Sequence, residues 1–140
     1  MARLLIVSLF FLSVVSCKVT ADVEQKQESA TLGVITFPDT LCDEITSIRE
    51  LNLGVVREGE TISGRLNFKN PMDSTITISS FKGSCGCMDI TEGFTALEKE
   101  QIKSINYRIH TTDKSGEEYF DIIVTTSIGK FMVEMVATVK

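Results

Sequence analysis

The chain has 140 residues and a mass of 15.5 kDa, which is enough for one domain of ordinary size. Hydrophobic residues make up 43% and charged residues 24%, a globular balance that excludes a wholly disordered chain. The net charge is −5 and the sequence has no cluster of Lys or Arg, so no nucleic-acid partner is expected. The sequence has one His, which excludes any site that needs several histidines.

The amino terminus has the pattern of an export signal. Arg3 supplies a positive charge, and residues 4–15 form a run that is apolar except for Ser8 and Ser13. Such a run fits a signal-peptide core and is shorter than the roughly 20 residues that a membrane-spanning helix needs. A buried amino-terminal helix or strand is the alternative.

The end of this apolar run resembles a bacterial lipobox, in which cleavage precedes a lipid-modified Cys. Residues 14–17 read Val-Val-Ser-Cys, so we expect residues 1–16 to be a lipoprotein-type signal peptide and Cys17 to carry the lipid. More than one acyl chain on Cys17 would anchor the protein stably to a membrane. Ordinary signal cleavage after Ala21 is the alternative. Both routes lead out of the cytoplasm to the cell envelope, an oxidising compartment that permits disulfides.

A tether is expected to follow the signal, over residues 17–44. Its first part is polar, of mixed charge, and shows no apolar period, which is typical of a solvated linker. Residues 32–37 read LGVITF and are prone to form a strand, and Pro38 ends that run. The sequence leaves open whether this run is an edge strand or part of the tether. The folded domain is expected over residues 45–140.

Beyond the tether, apolar and polar side chains alternate in successive segments, the period of β-strands. In residues 119–126, for example, Phe120, Ile122 and Val124 share one face. Turn signals such as Asn70-Pro71 separate these segments. The alternation predicts strands near residues 46–53, 61–69, 74–81, 86–91, 102–109, 119–126 and 131–139. About seven strands in a domain of this length indicate an all-β fold, an Ig-like β-sandwich, with a barrel as the alternative.

Three stretches carry a family resemblance, and the most specific is Ser-Cys-Gly-Cys after a strand that ends in Asn. They are residues 53–60 (LGVVREGE), 66–70 (LNFKN) and 81–87 (FKGSCGC). On these stretches, residues 51–140 resemble the bacterial family catalogued as domain of unknown function 1573, an Ig-like sandwich related to the hydin-like (ASH) domains. Met88 stands where the family usually has Thr, which weakens any role that needs a hydroxyl there. The resemblance implies no activity, but it agrees with export and lipid anchoring.

The cysteines are the residues most open to chemistry. Cys17 leaves the thiol count under both cleavage routes, so Cys42, Cys85 and Cys87 remain, and an odd number leaves at least one unpaired within the chain. In an extended strand, Cys85 and Cys87 would have Cα atoms roughly 6.5–7 Å apart, at or beyond the limit for a disulfide. They could bond to each other only if Gly86 bends the chain.

Three interpretations of these cysteines stay open. The first is a structural disulfide, either within the pair or from Cys42 to one of the two. The second is a pair of reactive or redox thiols. The third is a Cu(I) site formed by Cys85, Cys87 and Met88, because thiolate and thioether ligands suit this soft ion. No zinc site is expected, since the segment offers too few ligands.

No catalytic set is evident elsewhere in the sequence. His110 should point into solvent at a strand end, and acidic residues such as Glu98 and Glu117 lie on separate segments with no fixed spacing. We therefore expect no enzyme activity. The main hypothesis is a lipid-anchored Ig-like binding or scaffold module of the cell envelope, whose sheet edges could accept a strand from an envelope protein or neighbouring domain. The alternative is a periplasmic thiol-redox or copper-handling protein.

Overall fold

A computed structural model describes residues 33–41 and 43–140 of the chain. The expected signal peptide, Cys17 and Cys42 lie outside the described residues. Within those ranges, no helix has the length and apolar character needed to cross a membrane. The described residues form nine β-strands, in chain order β1 (Val34–Thr36), β2 (Thr46–Val56), β3 (Thr61–Lys69), β4 (Ile76–Gly83), β5 (Met88–Thr91), β6 (Ala96–Leu97), β7 (Ile102–His110), β8 (Gly116–Thr126) and β9 (Gly129–Val139).

The strands form two sheets that pack face to face. One sheet has four strands in the order β1-β3-β7-β5, and the other has five in the order β2-β9-β8-β4-β6. Neighbouring strands are antiparallel except for two parallel pairs, β1 with β3 and β2 with β9. The all-β, Ig-like sandwich that the alternation predicts is therefore confirmed.

The core lies between the two sheets and is built by the inward side of each alternating strand. Phe120, Ile122 and Val124 of β8 are fully buried, and their neighbours along the strand point outward. Burying each such side chain contributes about 1.5–3 kcal/mol to folding. The ring of Phe37 lies 5.5 Å from that of Phe68 and 5.3 Å from that of Phe131, so the segment around β1 joins this core.

The strand bounds differ from the prediction where polar residues occupy inward positions or where a strand is very short. β8 begins at Gly116, earlier than predicted. The alternation does not show this first part of the strand because a polar residue, Glu118, lies at an inward position, where Lys114 pairs with its carboxylate at 3.4 Å. β6 has only two residues, which is too few to show a period. Residues 86 and 87, predicted as the start of a strand, form a turn instead.

Among the residues that the structure describes, two polar side chains are fully buried, and both have hydrogen-bond partners. Asn70 donates from Nδ2 to the carbonyl oxygens of Ser74 and Leu97, both at 2.8 Å, and accepts from the Met72 amide at 2.9 Å. This arrangement fixes the loop after β3 against β6. Thr111 Oγ1 lies 2.7 Å from the carbonyl oxygen of Glu60 and so fixes the turn between β2 and β3.

Candidate functional site

A disulfide joins Cys85 and Cys87 in the connection that crosses from one sheet to the other. We call residues 84–87 the disulfide turn; it leads from β4 of the five-stranded sheet to β5 of the four-stranded sheet. The Cα atoms of the two cysteines are 5.1 Å apart, within the range of ordinary disulfides. The chain bends here, and the Met88 amide donates to the Cys85 carbonyl at 3.3 Å. The bend brings together two sulfurs that an extended strand would hold too far apart.

Hydrogen bonds hold both ends of the disulfide turn. At its start, the Ser84 amide donates to the Asp121 carbonyl at 2.8 Å, and the Asp121 amide donates to Ser84 Oγ at 2.9 Å, which fixes the turn to β8. At its end, the His110 amide donates to the Cys87 carbonyl at 2.9 Å, which fixes the turn to β7. The position of the turn therefore does not depend on the sulfur–sulfur bond alone.

Met88, the third residue of the alternative Cu(I) site, points away from solvent. Met88 is only 9% exposed and belongs to the core, beside Gly83. Disulfide sulfurs carry no thiolate charge, so a Cu(I) site on Cys85, Cys87 and Met88 requires a reduced pair and an accessible thioether. Among the described residues, no three side chains of His, Cys, Asp or Glu are grouped so that they could hold a metal ion.

His110 lies in a short chain of polar contacts beside the disulfide turn. Its Nε2 is 3.0 Å from Oδ2 of Asp89 on β5, and its Nδ1 is 3.3 Å from Oγ1 of Thr61 on β3. The side chains of His110 and Asp89 are 49% and 62% exposed. His110 points outward, as expected. Both of its ring nitrogens nevertheless have partners that the sequence analysis did not predict. Finding them requires the order β3-β7-β5, which the strand pattern alone does not give.

Three carboxylates stand side by side on the outer surface of the five-stranded sheet. Glu50 of β2 is the register partner of Glu134 of β9, which is in turn the partner of Asp121 of β8; we call these three the acidic row. Like charges that face each other across strands are destabilising. Ser47 Oγ donates to Glu134 Oε2 at 2.7 Å, but no Lys or Arg among the described residues forms an ion pair with the row. Partial burial, together with the charge of Glu134, raises the pKa of the Asp121 carboxyl above its usual 3.8.

Apolar side chains flank the acidic row on both sides. Ile123 pairs with Met132 on one side, and Tyr119, which is 67% exposed, pairs with Val136 on the other. The Tyr119 hydroxyl donates to Glu117, and this hydrogen bond with the nearby negative charge raises the pKa of the phenol. We call this surface the acidic face, formed by Glu50, Tyr119, Asp121, Ile123, Met132, Glu134 and Val136.

Two solved structures are similar to this chain at low sequence identity. The chain is 14% identical to the Vibrio cholerae VesB protease, with a TM-score of 0.50 over 73% of this chain and 32% of that chain. It is 11% identical to the ASH / PapD-like domain of human CEP192 (PapD-like domain 7), with a TM-score of 0.49 over 86% of this chain and 96% of that chain. The chain thus spans about a third of the protease chain. At such identity the likeness concerns the fold alone. No curated protein matches the chain.

The family comparison covers most of the described domain. The profile described as "Protein of unknown function (DUF1573)" matches residues 45–139, from the residue before β2 to the end of β9. This match confirms the family resemblance that residues 53–60, 66–70 and 81–87 carry. The chain belongs to the DUF1573 family.

Proposed function

We propose that this protein is an exported, lipid-anchored binding module of the cell envelope, and that it binds its partner through the acidic face. The observation that carries the proposal is the acidic row, three carboxylates in register across three strands without a Lys or Arg partner among the described residues. Facing like charges lower the stability of the isolated domain. Natural proteins accept such destabilising arrangements mainly at functional sites.

The acidic face also defines the chemistry of the partner. The carboxylates would be stabilised by cations, and the flanking Ile123, Met132, Tyr119 and Val136 would be stabilised by burial. The proposed partner is therefore a protein segment that presents Arg or Lys between apolar side chains. Charge pairs of this kind raise the association rate and make binding sensitive to salt.

The test is site-specific photo-crosslinking in native membranes with the full chain. A photoreactive amino acid replaces Ile123 on the acidic face, or Ser63 on the outer surface of the other sheet as a position control. We expect an adduct of one defined mass from position 123 and none from position 63. The crosslinked segment of the captured protein should contain Arg or Lys flanked by apolar residues.

Charge reversal then tests the acidic row itself. Glu134→Lys should abolish the adduct from position 123, and high salt should weaken it, because both remove the electrostatic attraction. Glu98→Lys makes the same charge change at an exposed turn and should leave the adduct intact. The proposal would be overturned by equal adducts from positions 123 and 63, or by no adduct at all. An adduct from position 123 that Glu134→Lys does not change would also overturn it.

Lipid anchoring is tested separately by the intact mass of the protein extracted from native membranes. We expect a chain that begins at Cys17 and carries a mass increment of lipid size. A chain that begins at Asp22 without such an increment would instead mean ordinary signal cleavage. That result would remove the anchor from the proposal and leave the binding face standing.

A further inference from the structure

We propose that the Cys85–Cys87 disulfide is a thiol–disulfide exchange site that oxidises a dithiol of another protein. The inference goes beyond the proposed binding function and does not depend on it, because the reaction can be tested with a small dithiol. Three features of the disulfide turn support this inference. The bond links residues too close in sequence to add much stability, hydrogen bonds hold the turn without the bond, and the turn is open to solvent.

The stabilising value of the disulfide is small because of its place in the chain. A cross-link stabilises mainly by restricting the unfolded chain, and the restriction grows with the length of the closed loop. Cys85 and Cys87 are separated by one residue and lie in the same turn, so their bond joins no distant elements. A purely structural role therefore accounts poorly for this bond.

The disulfide turn is held so that the sulfur–sulfur bond can break and re-form without unfolding of the domain. Hydrogen bonds from Ser84 to Asp121 on β8 and from His110 to Cys87 fix its two ends to the two sheets. When the sulfur–sulfur bond is broken, these contacts remain and keep the two thiols near each other. Pre-organisation of this kind favours rapid re-formation of the disulfide.

The surroundings of the turn allow a partner to approach. Ser84 and Gly86 are exposed, and Cys85 and Cys87 are half-buried at the edge of the core. A Cβ atom added at Gly86 would meet nothing within 4 Å, so the space beside the disulfide is open.

The reaction is a two-electron exchange that balances without a cofactor. A thiolate of the partner attacks one sulfur of the disulfide, the Cys85–Cys87 bond breaks, and a mixed disulfide forms. The second partner thiolate then attacks the mixed disulfide. The partner leaves with a new disulfide, and Cys85 and Cys87 gain two electrons and two protons and remain as thiols. Exchange with another disulfide, of a protein or a small molecule, reverses these steps and restores the oxidised pair.

The experiment uses the full chain with Cys42→Ser, so that the pair supplies the exchangeable sulfurs of the domain. The probe is a synthetic peptide with two cysteines, added at about tenfold excess, and thiols are counted by alkylation and intact mass. We expect the protein to gain two thiols for each peptide disulfide formed, at a rate proportional to peptide concentration. The circular dichroism spectrum of the β-sheets should be retained in the reduced protein.

Two matched variants separate exchange at this site from other chemistry. A Cys85→Ser/Cys87→Ser variant that keeps Cys42 should leave the peptide reduced. Gly86→Val places a side chain in the open space beside the disulfide and should slow the exchange several-fold while the protein stays folded. The proposal would be overturned if the dithiol peptide did not reduce the Cys85–Cys87 disulfide, or if reduction unfolded the domain. It would also be overturned if the exchange rate stopped rising with peptide concentration, because unfolding would then limit the reaction.

Discussion

The ring of Tyr107 on β7 lies directly over Gly64 on β3, its register partner in the four-stranded sheet. A Cβ atom at position 64 would fall well inside contact distance of the ring. Tyr107 is buried, and burial raises the pKa of its phenol. The glycine therefore provides the space that the aromatic side chain fills.

Replacement of Gly64 should accordingly destabilise the domain. We expect Gly64→Ala to lower the free energy of unfolding by about 1–3 kcal/mol, because the new methyl group forces the Tyr107 ring out of its place. Urea denaturation followed by circular dichroism measures the change. Gly86→Ala, where the added group meets open space, is the control and should change the value by less than about 0.5 kcal/mol. Equal effects of the two changes would contradict this account.

The raised pKa of Asp121 makes the stability depend on pH. The carboxyl holds its proton more tightly in the folded state, so stability falls as pH rises from the unfolded pKa, near 3.8, through the raised folded pKa. Asp121→Asn removes this loss. We expect the variant to be more stable than the wild type at pH 7 by about 0.2–1 kcal/mol, and equally stable at pH 3.

Urea denaturation at the two pH values measures this difference. Glu58→Gln removes one negative charge at an exposed turn and should give no comparable gain at pH 7. A variant Asp121→Asn that is less stable than the wild type at pH 7 would show that the carboxylate is stabilised by its surroundings, contrary to our interpretation.

Asn70 uses both ends of its side-chain amide in a fully buried position, so the isosteric change Asn70→Asp should be severe. A carboxylate cannot donate to the carbonyl oxygens of Ser74 and Leu97, and it would be a buried charge without a cation. We expect a loss of about 3 kcal/mol or more in the free energy of unfolding. At Asn52 only the oxygen is used, accepting from the Gly54 amide, so Asn52→Asp should cost less than about 1 kcal/mol.

Thr111 provides a similar test with a hydroxyl. In Thr111→Val, the carbonyl oxygens of Arg57 and Glu60 lose their contact with the hydroxyl, and we expect a loss of about 1–2 kcal/mol on thermal or urea unfolding. The neighbouring Thr112 is exposed, and Thr112→Val should be neutral within about 0.5 kcal/mol. A neutral Thr111→Val would mean that water replaces the hydroxyl.

The sequence predicts the fold class well because most strands alternate cleanly, as β8 does from Phe120 onward. Part of the acidic row could also be predicted from the sequence. The turn at residues 127–130 places Asp121 opposite Glu134 once β8 and β9 are recognised as a hairpin. The position of Glu50 in the row could not be predicted, because no short connection sets the register of the parallel β2–β9 pair. The contacts of His110 were hidden for the same reason, since β3, β7 and β5 are not successive in the chain.

The parallel pairing of β2 with β9 has a consequence for the order of folding. The five-stranded sheet cannot be completed until β9, the last strand in the chain, can pair with β2. A chain that is still being synthesised therefore carries β2 without its partner. Contacts between such distant segments close large loops and slow folding. The five-stranded sheet is thus expected to be completed late, after the whole family region has been synthesised.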